Sequence, residues 1–580
     1  MNIVFTVCRK PIMKRLILSV CFGFIAVCAS TAGAQNAIPT LVPPTPIAST
    51  PTPPPDGLQT VSGLAQIQSD GVLRVGILMN EPPFGQLDVL GQVSGYDADL
   101  ARAIAEAWDV SLELIQVTRL NALQSLNNNE VDLLIAAQVH KRELDRYVEF
   151  SHTYRMSRQS LMVRADDPAV LLINMVGRRI GYVLGTESEA AAVSWLNDSG
   201  QGVTGQAFLT LDQAYRALFA NEIDGLIGRH EHLLRVSAGQ ADAVKFLNEP
   251  IVLEPFAIAM PRQDVNLRQL VNRTLQYLQA EDTLEVLHRQ YFPGEPYQNS
   301  IIPLWERADE NVPPVTELNS EIRYPEQYVV PRLQSDRTLR VAGLADPPTD
   351  APESERRTFL FHQRVLNELA SRWDVGLELV SGDVLSLIES GQADIGVGVS
   401  PDWALSDRLD FSQAYLMHGD RMLIPANRDI DGFGDLRNRW VGIIAGDGDA
   451  EARVRFWVDS ISGRVNIFTV NFEQNAATVI LDSQNADVIF GDSLRLIPHL
   501  DQNPGQLELT DRWYTRRYKA FALPRNDIDF RLLVDYTLQE MQQDGTLPGL
   551  MTGVFPPDEV PPLFDYWPGP STYLGLSLSS

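Results

Sequence analysis

Cysteine is almost absent: the 580-residue chain has 3, at positions 8, 21 and 28. Beyond Cys28 no disulfide, thiol nucleophile or cysteine-ligated metal can form. Positive charge is scarce too, with 47 Lys and Arg against 74 Asp and Glu and a net charge of −27. A nucleic-acid binder relies on a basic footprint, so that partner class is excluded. No apolar run after the N-terminal one nears the roughly 20 residues that span a bilayer, which excludes a polytopic membrane protein. G-x-S-x-G, P-loop and H-E-x-x-H signatures are missing. His230-x-His232 has no third ligand placed by the sequence. No catalytic residue, cofactor or metal is therefore assigned. What remains is ordinary globular material, 44% hydrophobic and 21% charged, long enough for several domains of about 100–200 residues.

The N-terminus reads as an export signal. Lys14 and Arg15 precede the apolar stretch Leu16 to Ala29, and Ala32-Gly33-Ala34 supplies a small-residue cleavage site. Residues 1–34 are expected to be a signal peptide, placing the protein in the periplasm or outside the cell, tethered to the membrane where the signal stays uncleaved. A Pro/Thr-rich spacer follows over 35–65, since PTLVPPTPIASTPTPPP favours extended backbone and cannot bury a core. A second polar, Pro-bearing stretch marks a linker over 296–335. The tail, 554–580, carries Phe564, Tyr566 and Trp567, which are expected to pack on the neighbouring domain.

Between spacer and tail the sequence repeats itself. Leu73-Arg74-Val75 returns as Leu339-Arg340-Val341, Trp108-Asp109-Val110 as Trp373-Asp374-Val375, and Phe150-Ser151 with Tyr154 as Phe411-Ser412 with Tyr415. Asp282-Thr283-Leu284 returns as Asp544-Gly545-Thr546-Leu547, with the offset held between 261 and 266. So long a period is a duplicated domain: domain 1 over 66–295 and domain 2 over 336–553. Each copy alternates short apolar runs with amphipathic ones. Strands are expected over 73–78, 112–117, 131–136 and 179–183, with helices over 97–108, 120–126 and 187–195. This alternation is that of an α/β fold, whose ligands sit beyond the carboxyl ends of the strands.

The first copy carries LRVGILMNEPPFG, SGYDADLARAIAE, LQSLNNNEVDLLIAA, YVEFSHTY, IGYVLGTESEAA, FANEIDGLIG and LQYLQAEDTLEVLHRQYF in that order. The second keeps LRVAGLADPP, SGQADIGVGVS, LDFSQAY, ADVIFGD and LQEMQQDGTL. Each copy thereby resembles the family 3 extracellular solute-binding proteins, the polar amino-acid receptors of ABC importers. The resemblance implies two tandem type 2 periplasmic-binding domains, each of two lobes with mixed, mostly parallel sheets, closing over a small solute. A permease or membrane sensor would be the partner, and a monomer is expected. The alternatives are a degenerate binding-protein scaffold or interaction module, and a dehydratase-like enzyme on the same fold.

The family resemblance also implies an Arg on the ligand carboxylate and an Asp on its ammonium, because charges that leave water must be paired. The Arg position falls on Leu144 and Leu405, leaving Arg142 as the nearby cation in copy one. The ammonium position falls on Arg229 in copy one and on Asp492 in copy two. The aromatic platform falls on Arg119. Phe84 matches a ligand cover, Gly185-Thr186-Glu187 an anion-holding turn, and Asp99 reads as a helix cap. The candidate binding residues are therefore Phe84, Arg119, Arg142, Thr186, Arg229 and Asp492. With Arg119, Arg142 and Arg229 in one cleft, the first site is expected to be cationic and to prefer an organic acid or acidic amino acid.

Overall fold

The computed structural model describes residues 60–198, 204–298, 302–459, 464–482, 485–556, 559 and 566–569. The signal peptide and most of the spacer lie outside the described residues, as does Phe564. Among the described residues no helix is long and apolar enough to cross a membrane.

In the first half, Leu73, Val75 and Ile77 are fully buried, so Val72–Leu78 is a central strand with parallel neighbours Ser111–Val117 and Leu133–Leu134. Gly76 is required at this packing, because a Cβ there would lie 2.6 Å from a Leu134 methyl. A second parallel group forms from Gly225–Arg229, Arg179–Val183 and Thr204–Phe208. Two antiparallel strands, Val148–Arg164 and Val252–Pro261, run between the groups and join them into one nine-stranded sheet. Their register shifts around Ala257, where the ladder bends. The first half thus forms two α/β lobes joined by two crossing strands, the arrangement expected for it.

Later in the chain there are further mixed sheets. Thr338–Ala342 lies parallel between Gly376–Val380 and Ile395–Gly396. Trp440–Ile444 lies parallel between Asn466–Val470 and Val488–Asp492. A two-stranded ribbon, Leu416–His418 with Arg517–Lys519, stands beside them. In both halves the crossing and returning strands bring antiparallel ladders, so the sheets are evenly mixed and not mostly parallel.

Several local bonds recur in the two halves. Arg74 grips Asp132 at 2.5 Å, and Arg340 grips Asp394 at 2.6 Å. The indole N–H of Trp108 donates to Thr274 Oγ1 at 2.7 Å, and that of Trp373 to Thr537 Oγ1 at 2.9 Å. The Ser151 and Ser412 hydroxyls accept the Ile258 and Phe521 amides at 2.9 and 3.0 Å. Asp264 caps helix Val265–Ala280, and Asp527 caps helix Ile528–Gln543.

The halves meet through those two helices in a reciprocal way. Arg268 donates to Asp410 at 2.5 Å, while the equivalent Arg531 donates to Glu149, the residue equivalent to Asp410. Arg262 bonds Asp529 at 2.5 Å and Arg525 bonds Asn266 at 2.6 Å. This is the geometry of an isologous dimer interface, built within one chain.

Three segments differ from the sequence expectation. Residues 302–328 are a packed connection, not an open linker: Ile302, Trp305, Val312, Val315 and Ile322 are buried, and Trp305 stacks on Trp403 at 4.3 Å. Gln276 holds both indoles' neighbourhood, accepting from the Trp305 amide at 2.8 Å and from Trp403 Nε1 at 2.9 Å. Helix Val329–Asp336 already belongs to the second half, where Leu333 is in its core. Asp99 makes no helix cap; it accepts from the Tyr291 hydroxyl and pairs with Arg102. In the tail, Trp567 stacks on His140 at 4.0 Å.

Candidate functional site

A pocket of about 210 Å³ opens between the first-half lobes. Glu81 follows the first strand in sequence and comes from one lobe, with Arg119 beyond the next. Thr186 and Glu187 open helix Glu187–Asp198 in the other lobe, and Arg229 ends strand Gly225–Arg229.

Glu81 is the hub. Its carboxylate accepts from Arg119 and, at 3.1 Å, from Arg229 Nη1, and it lies 3.3 Å from His232 Nε2. Burial would raise its pKa, but Arg119, His232 and Arg229 outweigh that and hold it below the ordinary range. Arg229 is buried and anchored from behind by Glu254 at 2.8 Å. Burial works against its charge, yet Glu254 and Glu81 hold the guanidinium above its ordinary pKa. One donor, Nη2, is left buried without a partner. Burial pushes His232 down to about 4, so it is neutral near pH 7. Glu187 accepts from Lys141 at 2.7 Å; burial raises its value, and Lys141 more than offsets that. The Thr186 hydroxyl donates to the Val183 carbonyl at 2.8 Å.

The structure thus brings Arg119, Thr186 and Arg229 to one cleft, and leaves the other candidates elsewhere. Phe84 is fully buried in the core, edge-on to Phe256 at 5.2 Å, so it covers no ligand. Arg142 is buried against the second half, over the Tyr536 ring at 4.5 Å and bonded to Gln539 at 2.9 Å. Asp492 lines a separate cleft of about 720 Å³ in the second half. The first cleft is not purely cationic: Glu81 and Glu187 line it beside Arg119, Arg229 and Arg235. Arg119, Arg229 and Lys141 are each matched by Glu81, Glu254 or Glu187, so the cleft presents both signs. Glu81 was accessible to sequence reasoning, since it directly follows a strand's carboxyl end. Glu254 was not, because its partner is 25 residues away on another strand.

Residues 73–294 match the family of bacterial extracellular solute-binding proteins, family 3. The same part of the chain is 22% identical over 234 residues to the L-cystine-binding protein TcyJ of Escherichia coli, covering 40% of this chain and 86% of that protein. It is 28% identical over 216 residues to the glutamine-binding protein of Geobacillus stearothermophilus, covering 36% and 80%. Among solved structures, an ancestral amino acid-binding protein, AncCDT-1, described as a precursor of cyclohexadienyl dehydratase, aligns at 26% identity and TM-score 0.34, covering 40% of this chain and 99% of that one.

Proposed function

We propose that the first half is an exported receptor that captures a small amino-acid-like solute for an ABC importer or a sensor, and that residues 329–556 are a second domain of the same kind. The observation that supports the first reading is Arg229 Nη2, a buried donor without a partner on a residue that lines a cleft carrying both signs of charge. A ligand carboxylate satisfies that donor together with Arg119, and a ligand ammonium meets Glu81 and Glu187. A simple anion would satisfy the donors and leave those carboxylates to repel it. The second-domain reading is supported by the recurring Arg–Asp, Trp–Thr and Ser–amide bonds.

Thermal-shift screening of the full chain against the protein amino acids tests this. At least one should raise the unfolding midpoint by mass action. Arg119→Ala should weaken that ligand by about one to two decades, the equivalent of a charge-assisted hydrogen bond of about 1.5–3 kcal/mol. Silence from every amino acid contradicts the reading.

A further inference from the structure

The second cleft keeps the acid that the resemblance assigns to an ammonium, but that acid is already occupied. Asp492 Oδ2 receives His418 Nδ1 at 2.6 Å and lies 3.5 Å from Arg517, while Oδ1 caps the next helix through the Leu494 amide at 3.0 Å. Burial raises the Asp492 pKa, but His418 and Arg517 outweigh it and keep the carboxylate ionised. An ionised carboxylate can only accept, so His418 Nδ1 carries the hydrogen of that bond and Nε2 is left for another partner. That Nε2 is buried without a partner and belongs to the cleft lining.

Lys519 is the cleft's unmatched cation. Its ammonium donates to Ser400 Oγ at 3.1 Å and pairs with no carboxylate among the described residues. Burial, with Arg517, draws its pKa down further than Asp492 and Glu306 raise it. Lys519 pairs with Leu416 across the ribbon and His418 with Arg517, so the Lys519 and His418 side chains leave the same face one diagonal apart, about 7–8 Å between backbones. His362 also lines the cleft with a buried, unpartnered Nε2. Among the acids around them, Arg495 holds Glu473 at 3.1 Å and Asp447 at 3.8 Å, while Glu355 and Asp449 are exposed.

We infer that this second cleft binds a carboxylic acid that carries a hydroxyl where an amino acid carries its ammonium. The carboxylate meets Lys519, and the hydroxyl, able to donate or to accept, bonds His418 Nε2. An ammonium finds no free acceptor on Asp492 and is held beside Lys519 and Arg517, so the amino acid of the same skeleton is rejected. The inference rests on reading the second half as a binding domain.

Titration calorimetry of the full chain with matched pairs tests it: L-lactate and L-alanine, L-malate and L-aspartate, 3-phenyllactate and phenylalanine. One hydroxy acid should bind with one equivalent per chain, and its amine partner at that site at least 100-fold more weakly. Lys519→Met should weaken the hydroxy acid at least 10-fold, His418→Asn should reduce the discrimination, and Arg119→Ala in the first cleft should leave it unchanged. Circular dichroism checks that each variant is folded. An amino acid that fills two sites, one of them lost in Lys519→Met, overturns the inference and leaves the domain reading standing. No binding sensitive to Lys519→Met in any pair overturns both, while amino-acid binding sensitive to Arg119→Ala still reports on the first cleft alone.

Discussion

Two equivalent positions in the two clefts carry a reversed charge pattern. The strand-end residue is Arg229 in the first and Asp492 in the second, with nearly the same backbone: φ −58° and ψ 132° against φ −60° and ψ 128°. Its partner on the returning strand is Glu254 in the first and Arg517 in the second. On the outgoing strand Ser157 and Gln159 correspond to His418 and Asp420, which pair across the ladders with these same residues. In both clefts an ion pair joins the strand end to the crossing strand, and its direction is opposite in the two. A single change leaves a buried charge alone, so the members can only exchange together. The first cleft keeps a cation with a spare donor; the second keeps an acid closed off by an imidazole.

The comparison breaks hardest at Arg229. Arg229→Asp places a carboxylate against Glu254 and Glu81, and should destabilise the chain by about 3–5 kcal/mol, read by denaturant unfolding. Adding Glu254→Arg, which reproduces the second cleft's polarity, should return about 1–3 kcal/mol of that loss as coupling between neighbours. A double variant no better than the sum of its singles would mean the reversal is coincidental. Asp492→Ala removes a helix cap and the His418 bond but leaves Arg517 on Asp420 at 3.0 Å, so about 1–2 kcal/mol is expected. Because the Asp492 pKa is depressed in the folded state, its share of stability is present above pH 4 and vanishes as pH falls through the folded value.

A third difference is sharpened by pH. Asn272 in the first half accepts the His152 amide at 2.8 Å, and Asp535 in the second accepts that of Gln413 at 2.6 Å. Burial raises Asp535 to about 7, although Arg531 opposes the shift. The folded chain then holds a proton that the unfolded chain has lost, so stability falls as pH rises from about 4 through 7, by up to about 1.4 kcal/mol per pH unit. Asp535→Asn should flatten that slope. The smallest effect is at Arg119, whose side chain is 36% exposed; Arg119→Ala should cost under about 1 kcal/mol of stability even as it weakens ligand binding.

Much of the fold was legible because burial imposes period. Arg179–Val183 forms the strand expected for it, Val72–Leu78 begins one residue early, and Tyr96–Ala107 is displaced by one residue from expectation. The expected strand over 131–136 is equally apolar, yet only Leu133–Leu134 pair as a named strand; burial and pairing are distinct, and composition reports the first. Of the site, Arg119, Thr186 and Arg229 were found through motif register. Phe84 and Arg142 were misplaced by the same register, since it fixes position along the chain and not which side of an element packs. Glu254 left no signal because an ion pair across strands depends on a ladder that no local pattern encodes. The 302–328 connection read as polar linker because its buried Trp305, Val312 and Val315 are isolated apolar residues in a Pro-rich stretch.

The central claim is that the two clefts share one scaffold and only the first takes an amino acid. Native mass spectrometry of the full chain, exposed to the protein amino acids singly, counts bound molecules directly. The account predicts complexes with one amino acid per chain, diminished in Arg119→Ala and untouched in Lys519→Met; two per chain, or none with any amino acid, would contradict it.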